Sequence, residues 1–382
     1  MNSEKVLMKG NEAIAEAAIR AGCLAYFGYP ITPQNEITSY MAKNMLGKGR
    51  VFIQAESETA AINMVYGASC AGARAMTSSS SPGISLKQEG MSYAAGADVP
   101  LVLVNVVRGG PGLGSIAPSQ ADYFQSTRGG GHGDYYCIVL APKNVQECAD
   151  FTYEAFDLAD KYRVPVIIQA DGMIGQMMEG VVLPDEKDPA SLPGRDWAVG
   201  NMKGRVSRHI TSINLVPEQL EKITRDRFVR YDEIAAKETR YEYAAPGVDA
   251  APGKIYTQAG GVPDAALAEA ADITLTAYGT SARVCLGAKL LAARAGIKAA
   301  LFRPISLWPY PYKALGAIAA SGKPILAVEM SLGQMVEDVR LSVLEAPEGR
   351  PRAQVHLLGH SGGVIPTEEE VFAAIKKITG RA

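Results

Sequence analysis

The sequence predicts an α/β protein of two doubly wound domains, each with a mostly parallel sheet. Three observations lead there. Short apolar runs alternate with helical stretches up to residue 182, the pattern of a parallel sheet covered by helices. The same alternation returns at Asp272. Between them, residues 183–263 hold many prolines, mixed charges and few long apolar runs. The expected organisation is a first domain over 1–182, an ordered linker over 183–263, and a smaller second domain over 264–382. With 382 residues and 47% hydrophobic content, the chain can fill two cores.

Each element follows from local pattern. Ala13, Ile14, Ala17, Ala18 and Ala21 keep helical spacing, which predicts a helix over 10–21. Leu24-Ala25-Tyr26-Phe27-Gly28 predicts a strand. It runs into Tyr29-Pro30-Ile31-Thr32-Pro33, where two prolines fix an extended turn around Thr32, or simply break the chain between strand and helix. A helix over 34–45 follows. Val51-Phe52-Ile53 predicts a strand, and Ser57 the N-cap of a helix with Ala61, Ile62, Val65 and Ala68 on its apolar face. Glu58 thus sits in a first helical turn at the carboxyl end of a strand, the edge where open α/β sheets bind ligands. A carboxylate there also suits the helix dipole.

Residues 73–77 predict a strand, Ser78-Ser79-Ser80-Ser81-Pro82-Gly83 a polar loop, and 84–95 a helix. Free N–H groups at such a helix start suit an anion. Residues 99–107 form the most apolar strand. It ends at Arg108 and Gly109-Gly110-Pro111-Gly112-Leu113-Gly114, a loop that permits close backbone approach to a ligand. A second glycine-rich loop over 128–133 carries His132. Strands over 136–141 and 164–170 flank a helix over 145–162. A charged helix is expected over 217–237, and loops over 237–243 and 250–261. Strands over 273–277, 299–302, 324–328 and 354–357 then alternate with helices over 281–294, 312–320 and 333–344.

Composition excludes several functions. A net charge of −2 without a basic run gives no footprint for nucleic acid. Neither GxGxxG nor GxxxxGK[ST] occurs, against Rossmann and P-loop readings. The five cysteines form no CxxC, and the four histidines no HExxH, so a disulfide framework, a cluster held by this chain alone and a catalytic zinc are not expected. Most of the cysteines should be buried as small apolar residues. Residues 1–10 lack the apolar core of a signal peptide, and no apolar run is long enough to span a bilayer. A soluble, cytoplasmic protein without a membrane partner is expected.

In a parallel sheet Thr32, Glu58, the serine loop and Arg108, each following its own strand, share one edge and can line one crevice. Arg108 is suited to fork onto a carboxylate, or to form a surface ion pair.

Tyr29-Pro30-Ile31-Thr32-Pro33, Ser57-Glu58 with Ala60-Ala61, and Arg108 together resemble the thiamine-diphosphate-dependent 2-oxoacid:ferredoxin oxidoreductases. The resemblance is to the subunit carrying a pyrimidine-binding domain and a transketolase C-terminal-like domain. Arg303-Pro304-Ile305-Ser306-Leu307-Trp308-Pro309 and Val328-Glu329-Met330 extend it into the second domain. Met8-Lys9-Gly10-Asn11-Glu12 and residues 78–89 most resemble the branched-chain (2-oxoisovalerate) enzymes, with the 2-oxoglutarate enzymes close. The resemblance implies that Glu58 hydrogen-bonds the aminopyrimidine of thiamine diphosphate. Tyr29, Pro30 and Ile31 lie beside that cofactor, and Arg108 and Thr32 hold the carboxylate of the 2-oxoacid. A 2-oxoglutarate site needs a further cation. Lys87 is the candidate, although as a helix residue it is expected to be solvated.

The family holds diphosphate and Mg²⁺ with Gly-Asp-Gly and a downstream Asn. Ala170-Asp171-Gly172 with Asn201 lacks the first glycine and is read as chance. The resemblance therefore implies partners: a beta subunit bringing Mg²⁺ and 4Fe–4S clusters, gamma and ferredoxin-like delta subunits, ferredoxin and coenzyme A. A thiamine-dependent transketolase or dehydrogenase component, and a non-catalytic scaffold subunit, are the competing readings.

Overall fold

The computed structural model describes residues 4–188, 191–199, 204, 206–247, 254–257 and 270–381. The chain divides into two compact units, one of Met1–Arg108 with Gln125–Asp232 and one of Gly109–Phe124 with Glu233–Ala382. Among the described residues no helix is long and apolar enough to cross a membrane.

The first unit opens with β1 (Val6–Lys9), α1 (Gly10–Arg20), β2 (Ala25–Gly28), α2 (Asn35–Asn44), β3 (Val51–Gln54) and α3 (Glu58–Cys70). β4 (Ala75–Ser79), α4 (Pro82–Gly96) and β5 (Leu101–Val107) come next. After the short helix α5 (Tyr123–Thr127) the unit closes with β6 (Ile138–Leu140), α6 (Val145–Tyr162), β7 (Pro165–Asp171), α7 (Gly172–Gln176) and β8 (Met178–Val181). Its sheet runs β6-β7-β5-β4-β2-β3, every pair parallel. The strands β2, β3, β4 and β5 therefore end on one edge. β5 is buried along its whole length, as its continuous apolar run requires. β1 and β8, neither anticipated from pattern, form a separate antiparallel pair.

β4 starts and ends two residues later than the expected 73–77. Ser78 pairs with Val104 and Ser79 with Asn105, so both belong to the strand rather than to the loop. Their hydroxyls hid this. Ser78 hydrogen-bonds the buried Tyr26 hydroxyl at 2.6 Å, which makes a polar residue tolerable in the core.

The second unit contains β9 (Arg240–Ala244), β10 (Lys254–Thr257), β11 (Ile273–Thr276), α9 (Gly279–Arg294), β12 (Ala299–Pro304) and β13 (Ser306–Trp308). It continues through α10 (Tyr312–Ala319), β14 (Ile325–Glu329), α11 (Met335–Leu344), β15 (Val355–Gly359) and α12 (Glu368–Thr379). The charged helix expected over 217–237 is present as α8 (Pro217–Glu238), most of it within the first unit. The sheet order is β10-β9-β12-β11-β14-β15, parallel except for the antiparallel additions of β9 and β10.

The loops expected over 237–243 and 250–261 are thus corrected: Arg240–Ala244 and Lys254–Thr257 are strands, while 250–253 and 258–261 lie outside the described residues. The misreading has a cause. Glu242 breaks the apolar pattern, yet it is buried and pairs with the fully buried Arg303 at 2.6 Å. Beside it, Tyr241 stacks on Phe302 with ring centres 5.0 Å apart.

Glu329, at the end of β14, shows how this unit satisfies a helix start. Its buried carboxylate accepts the N–H groups of Gln334, Met335 and Val336 at 2.8–3.0 Å and the Ser331 hydroxyl at 2.7 Å. The expected cysteine burial holds for Cys23, Cys137, Cys148 and Cys285, while Cys70 is half-buried.

A second correction concerns Lys87. The sequence placed it on a solvated helix face, but it is fully buried. Its ammonium donates to Thr77 Oγ1 at 3.0 Å and to the Glu58 carbonyl at 3.4 Å. Burial pulls its pKa down to about 7, only partly opposed by the charge of Glu58.

Two predictions follow from these buried groups. Glu329→Ala orphans three backbone donors and should cost about 3 kcal/mol. A urea melt of the subunit with an unchanged midpoint would contradict this. For Lys87 the folded pKa lies below the unfolded one, so the unfolded chain binds more protons between about pH 7 and 10.5. Stability contributed at this position therefore rises with pH across that window. Lys87→Met should be more stable than wild type at neutral pH by a few kcal/mol, and the advantage should shrink by about pH 9.5. Denaturation midpoints of both proteins at the two pH values check the sign.

Candidate active site

The site is assembled where β2, β3, β4 and β5 end. After β2, the Tyr29–Pro33 turn is fixed from beneath. Gln34 donates from Nε2 to the Tyr29 carbonyl at 3.3 Å, and its Oε1 accepts the Ser78 hydroxyl. The Pro33 carbonyl accepts from Asn11 Nδ2 at 2.8 Å and from Gln176 Nε2 at 2.9 Å. Lys9, Asn11 and Gln176 converge on Glu36, with Lys9 Nζ 3.0 Å from Glu36 Oε1. Sequence reasoning missed this supporting set as site residues. Its trace in the sequence was Met8-Lys9-Gly10-Asn11-Glu12.

After β5, Arg108 is 8% exposed, and its Nη1 donates to the Thr32 carbonyl at 3.0 Å. Thr32 itself is exposed, and its hydroxyl accepts from Asn35 Nδ2 at 3.3 Å. The structure thus joins two of the expected substrate residues directly. Tyr29 and Ile31 are half-buried and Pro30 is exposed; Gln34 holds their turn.

Between β4 and α4 runs the turn Ser80-Ser81-Pro82-Gly83. Ser81 has the unusual φ of 25° for a non-glycine residue, a conformation that persists only when surrounding bonds impose it. They do. The Ser81 hydroxyl accepts the Arg108 N–H at 3.0 Å and lies 3.2 Å from the Arg108 carbonyl, to which it can donate. The Ser81 N–H reaches Asn105 Oδ1 at 3.3 Å. Pro82 then starts α4, where a missing N–H costs nothing.

After β3, Ser57 caps α3 by accepting the Ala60 N–H at 3.1 Å. Glu58 is the first helical residue, as expected, but it is buried, 6% exposed, rather than a surface dipole charge. Its carboxylate lies over Gly83. A Cβ at Gly83 would stand 2.5 Å from Glu58 Oε1 and 2.1 Å from Ser79 Oγ, so only glycine fits this cradle. The hydroxyls of Ser79 and Ser80 are buried and have no hydrogen-bond partner among the described residues. A buried carboxylate, two unpaired hydroxyls and the start of a 15-residue helix therefore occupy one turn. Such a site accepts a polar planar group that donates to the carboxylate.

Two further stretches singled out in the sequence have structural parts to play. The glycine-rich loop after Arg108 belongs to the second unit, where a Cβ on Gly109 would meet the Gly362 carbonyl carbon at 2.8 Å; its small size serves packing of chain on chain. Asp171 is the N-cap of α7, its carboxylate accepting the Met173 and Ile174 N–H groups at 3.1 Å, in keeping with a structural role for Ala170-Asp171-Gly172. Asn201 lies outside the described residues.

The family model described as pyruvate flavodoxin/ferredoxin oxidoreductase, thiamine diphosphate-binding, matches residues 16–249, and that of pyruvate:ferredoxin oxidoreductase core domain II matches residues 271–371. The ketoisovalerate oxidoreductase subunit VorB of Methanothermobacter marburgensis is 43% identical over 98% of both chains. The 2-oxoglutarate synthase subunit KorA of the same organism is 36% identical, over 98% of this chain and 99% of its own. Among solved structures, the 2-oxoglutarate:ferredoxin oxidoreductase of Magnetococcus marinus superposes with a TM-score of 0.79 at 26% identity. That match covers 98% of this chain and 65% of the other. A split-gene transketolase, with a TM-score of 0.59 at 14% identity over 98% of both chains, shares the fold. These matches span the whole transketolase-like architecture, and the chain belongs to the thiamine-diphosphate-dependent 2-oxoacid:ferredoxin oxidoreductase family.

Proposed function

We propose that this chain is the subunit of a 2-oxoacid:ferredoxin oxidoreductase that carries the pyrimidine side of the thiamine diphosphate site. The complex converts a branched-chain 2-oxoacid such as 2-oxoisovalerate, with coenzyme A, to acyl-CoA and carbon dioxide and passes the electrons to ferredoxin. Partner subunits supply Mg²⁺ and 4Fe–4S clusters: a beta subunit, with gamma and ferredoxin-like delta subunits in larger assemblies.

The residues present fit the cofactor. Glu58 offers a carboxylate to the aminopyrimidine, Gly83 lets that carboxylate lie against the turn, and the Ser79 and Ser80 hydroxyls, unpaired among the described residues, offer polar partners. Tyr29, Pro30 and Ile31 form the facing turn. Bound thiamine diphosphate supplies the electron sink that lets a 2-oxoacid lose carbon dioxide. Glu58 holds a hydrogen bond and a proton at the ring nitrogen. Arg108, held beside Thr32, meets the carboxylate of the 2-oxoacid with its guanidinium, the geometry suited to such a group.

The observation that favours a branched-chain substrate is the position of Lys87. The cation that the sequence offered for a second carboxylate is enclosed against Thr77 and the Glu58 carbonyl. A substrate with an apolar tail needs no such partner. The greater identity to the ketoisovalerate relative points the same way.

Reduction of a viologen dye by the purified complex tests both class and substrate. Coenzyme-A-dependent reduction should be faster with 2-oxoisovalerate than with 2-oxoglutarate. The reverse preference would keep the chemistry and move the substrate; no reduction with any 2-oxoacid, with clusters intact, would overturn the reading. Glu58→Gln should lower turnover by about a hundredfold or more while the complex still assembles. An unchanged rate would support a scaffold subunit instead. Gly83→Ala should weaken thiamine diphosphate binding by about tenfold or more, because its methyl group displaces Glu58 Oε1 and Ser79 Oγ. Titration of cofactor into the apo-complex measures that loss.

A further inference from the structure

Burying a lysine needs a reason. Lys87 lies on the inner face of α4, fully enclosed, and no carboxylate receives a hydrogen bond from it. A neutral hydroxyl and a main-chain carbonyl satisfy two of its three protons, and an uncompensated ammonium in such a place is costly. A methionine or leucine would fill the same volume without that cost. What the ammonium gains is proximity to one residue. It bonds the carbonyl of Glu58, the residue whose carboxylate lies over Gly83 one helical turn earlier on α4.

From these contacts we propose that Lys87 is a positioning residue for Glu58. It pins the first residue of α3 by its main-chain carbonyl, and so keeps the Glu58 carboxylate in place for the aminopyrimidine. This rests on the role of Glu58 proposed above.

The local electrostatics are simple enough to test. Glu58 on α3 is the one charged group that acts on the ammonium among the described residues; β4 presents the neutral Thr77, and no charge on β7 acts on it. Lys87 itself changes charge near neutrality, so wild type should show an inflection near pH 7.

The experiment uses the assembled complex loaded with thiamine diphosphate. The near-ultraviolet circular dichroism of the bound aminopyrimidine is followed against pH in wild type, Lys87→Met and Thr77→Val, alongside cofactor affinity and dye reduction. In Lys87→Met the cofactor should still bind, within about threefold of wild type. The inflection near neutrality should vanish, and turnover should fall by about tenfold. Thr77→Val removes one acceptor of the ammonium at nearly constant volume, and should lower turnover by less. It keeps the idea testable if Lys87→Met does not assemble. Dichroism and turnover coinciding with wild type at every pH in the two variants, with only thermal stability changed, would overturn the inference and leave Lys87 a packing residue. Glu58→Gln separates the two ideas. If it abolishes the dichroic signal and turnover while the lysine variant matches wild type, only the inference about Lys87 fails. If it leaves both intact, the role assigned to Glu58 fails first.

Discussion

The short turn between β4 and α4 is the constraint on which the rest of the site depends. Four residues must leave a strand, start a helix and hold their neighbours. Ser81 does this with one hydroxyl, placed between the N–H and the carbonyl of Arg108. Its own N–H is taken by Asn105. The strain of a positive φ at Ser81 is thereby imposed by β5 rather than by the turn itself. Gly83 follows in a position where no side chain fits. Arg108 and Glu58, from different strands, are both located by contacts to this turn. Move the turn and both the guanidinium and the carboxylate lose their reference.

Much of this was legible in the sequence because the strands and helices of the first unit have distinct periods. Apolar runs at 51–53 and 99–107 placed Glu58 and Arg108 at strand ends, and parallel pairing then brought them to one edge. What could not be read was which polar residues turn inward. Ser78 and Ser79 resemble loop residues until Tyr26 is seen to receive one of them. Glu242 resembles a loop charge until Arg303 is found opposite it. Lys87 resembles a solvated helix residue, although its neighbours Ile84, Gly90 and Met91 are buried on the same helix. In each case the periodic signal was broken by a polar group whose partner is distant in sequence, and pattern reading has no access to such partners.

The second unit shows the ordinary way to bury charge, and so gives the standard against which the first unit stands out. Glu329 is surrounded by four donors. Asp338 accepts from the hydroxyls of Tyr123 and Tyr312. Glu242 has a guanidinium at 2.6 Å. These groups are complete within the fold, and a complete group has nothing left to offer a ligand. At the Glu58 edge the accounting does not close. Two serine hydroxyls lack partners, and a lysine is held by one hydroxyl and one carbonyl. An incomplete set of buried polar groups is poor design for stability and good design for binding, because the missing partners are what a ligand brings.

Substrate choice follows the same logic of what is already occupied. In the reading proposed above, the guanidinium that bonds the Thr32 carbonyl is the group that meets the 2-oxoacid carboxylate. A lysine enclosed behind α3 cannot reach out without uncovering the core, so it cannot serve a second carboxylate on the same substrate. On the proposed reading one cation meets the group that every 2-oxoacid shares, and the other stays enclosed. The buried lysine then bears on two questions at once: its position counts against its use for a second carboxylate, and its hydrogen bond holds the main chain of Glu58.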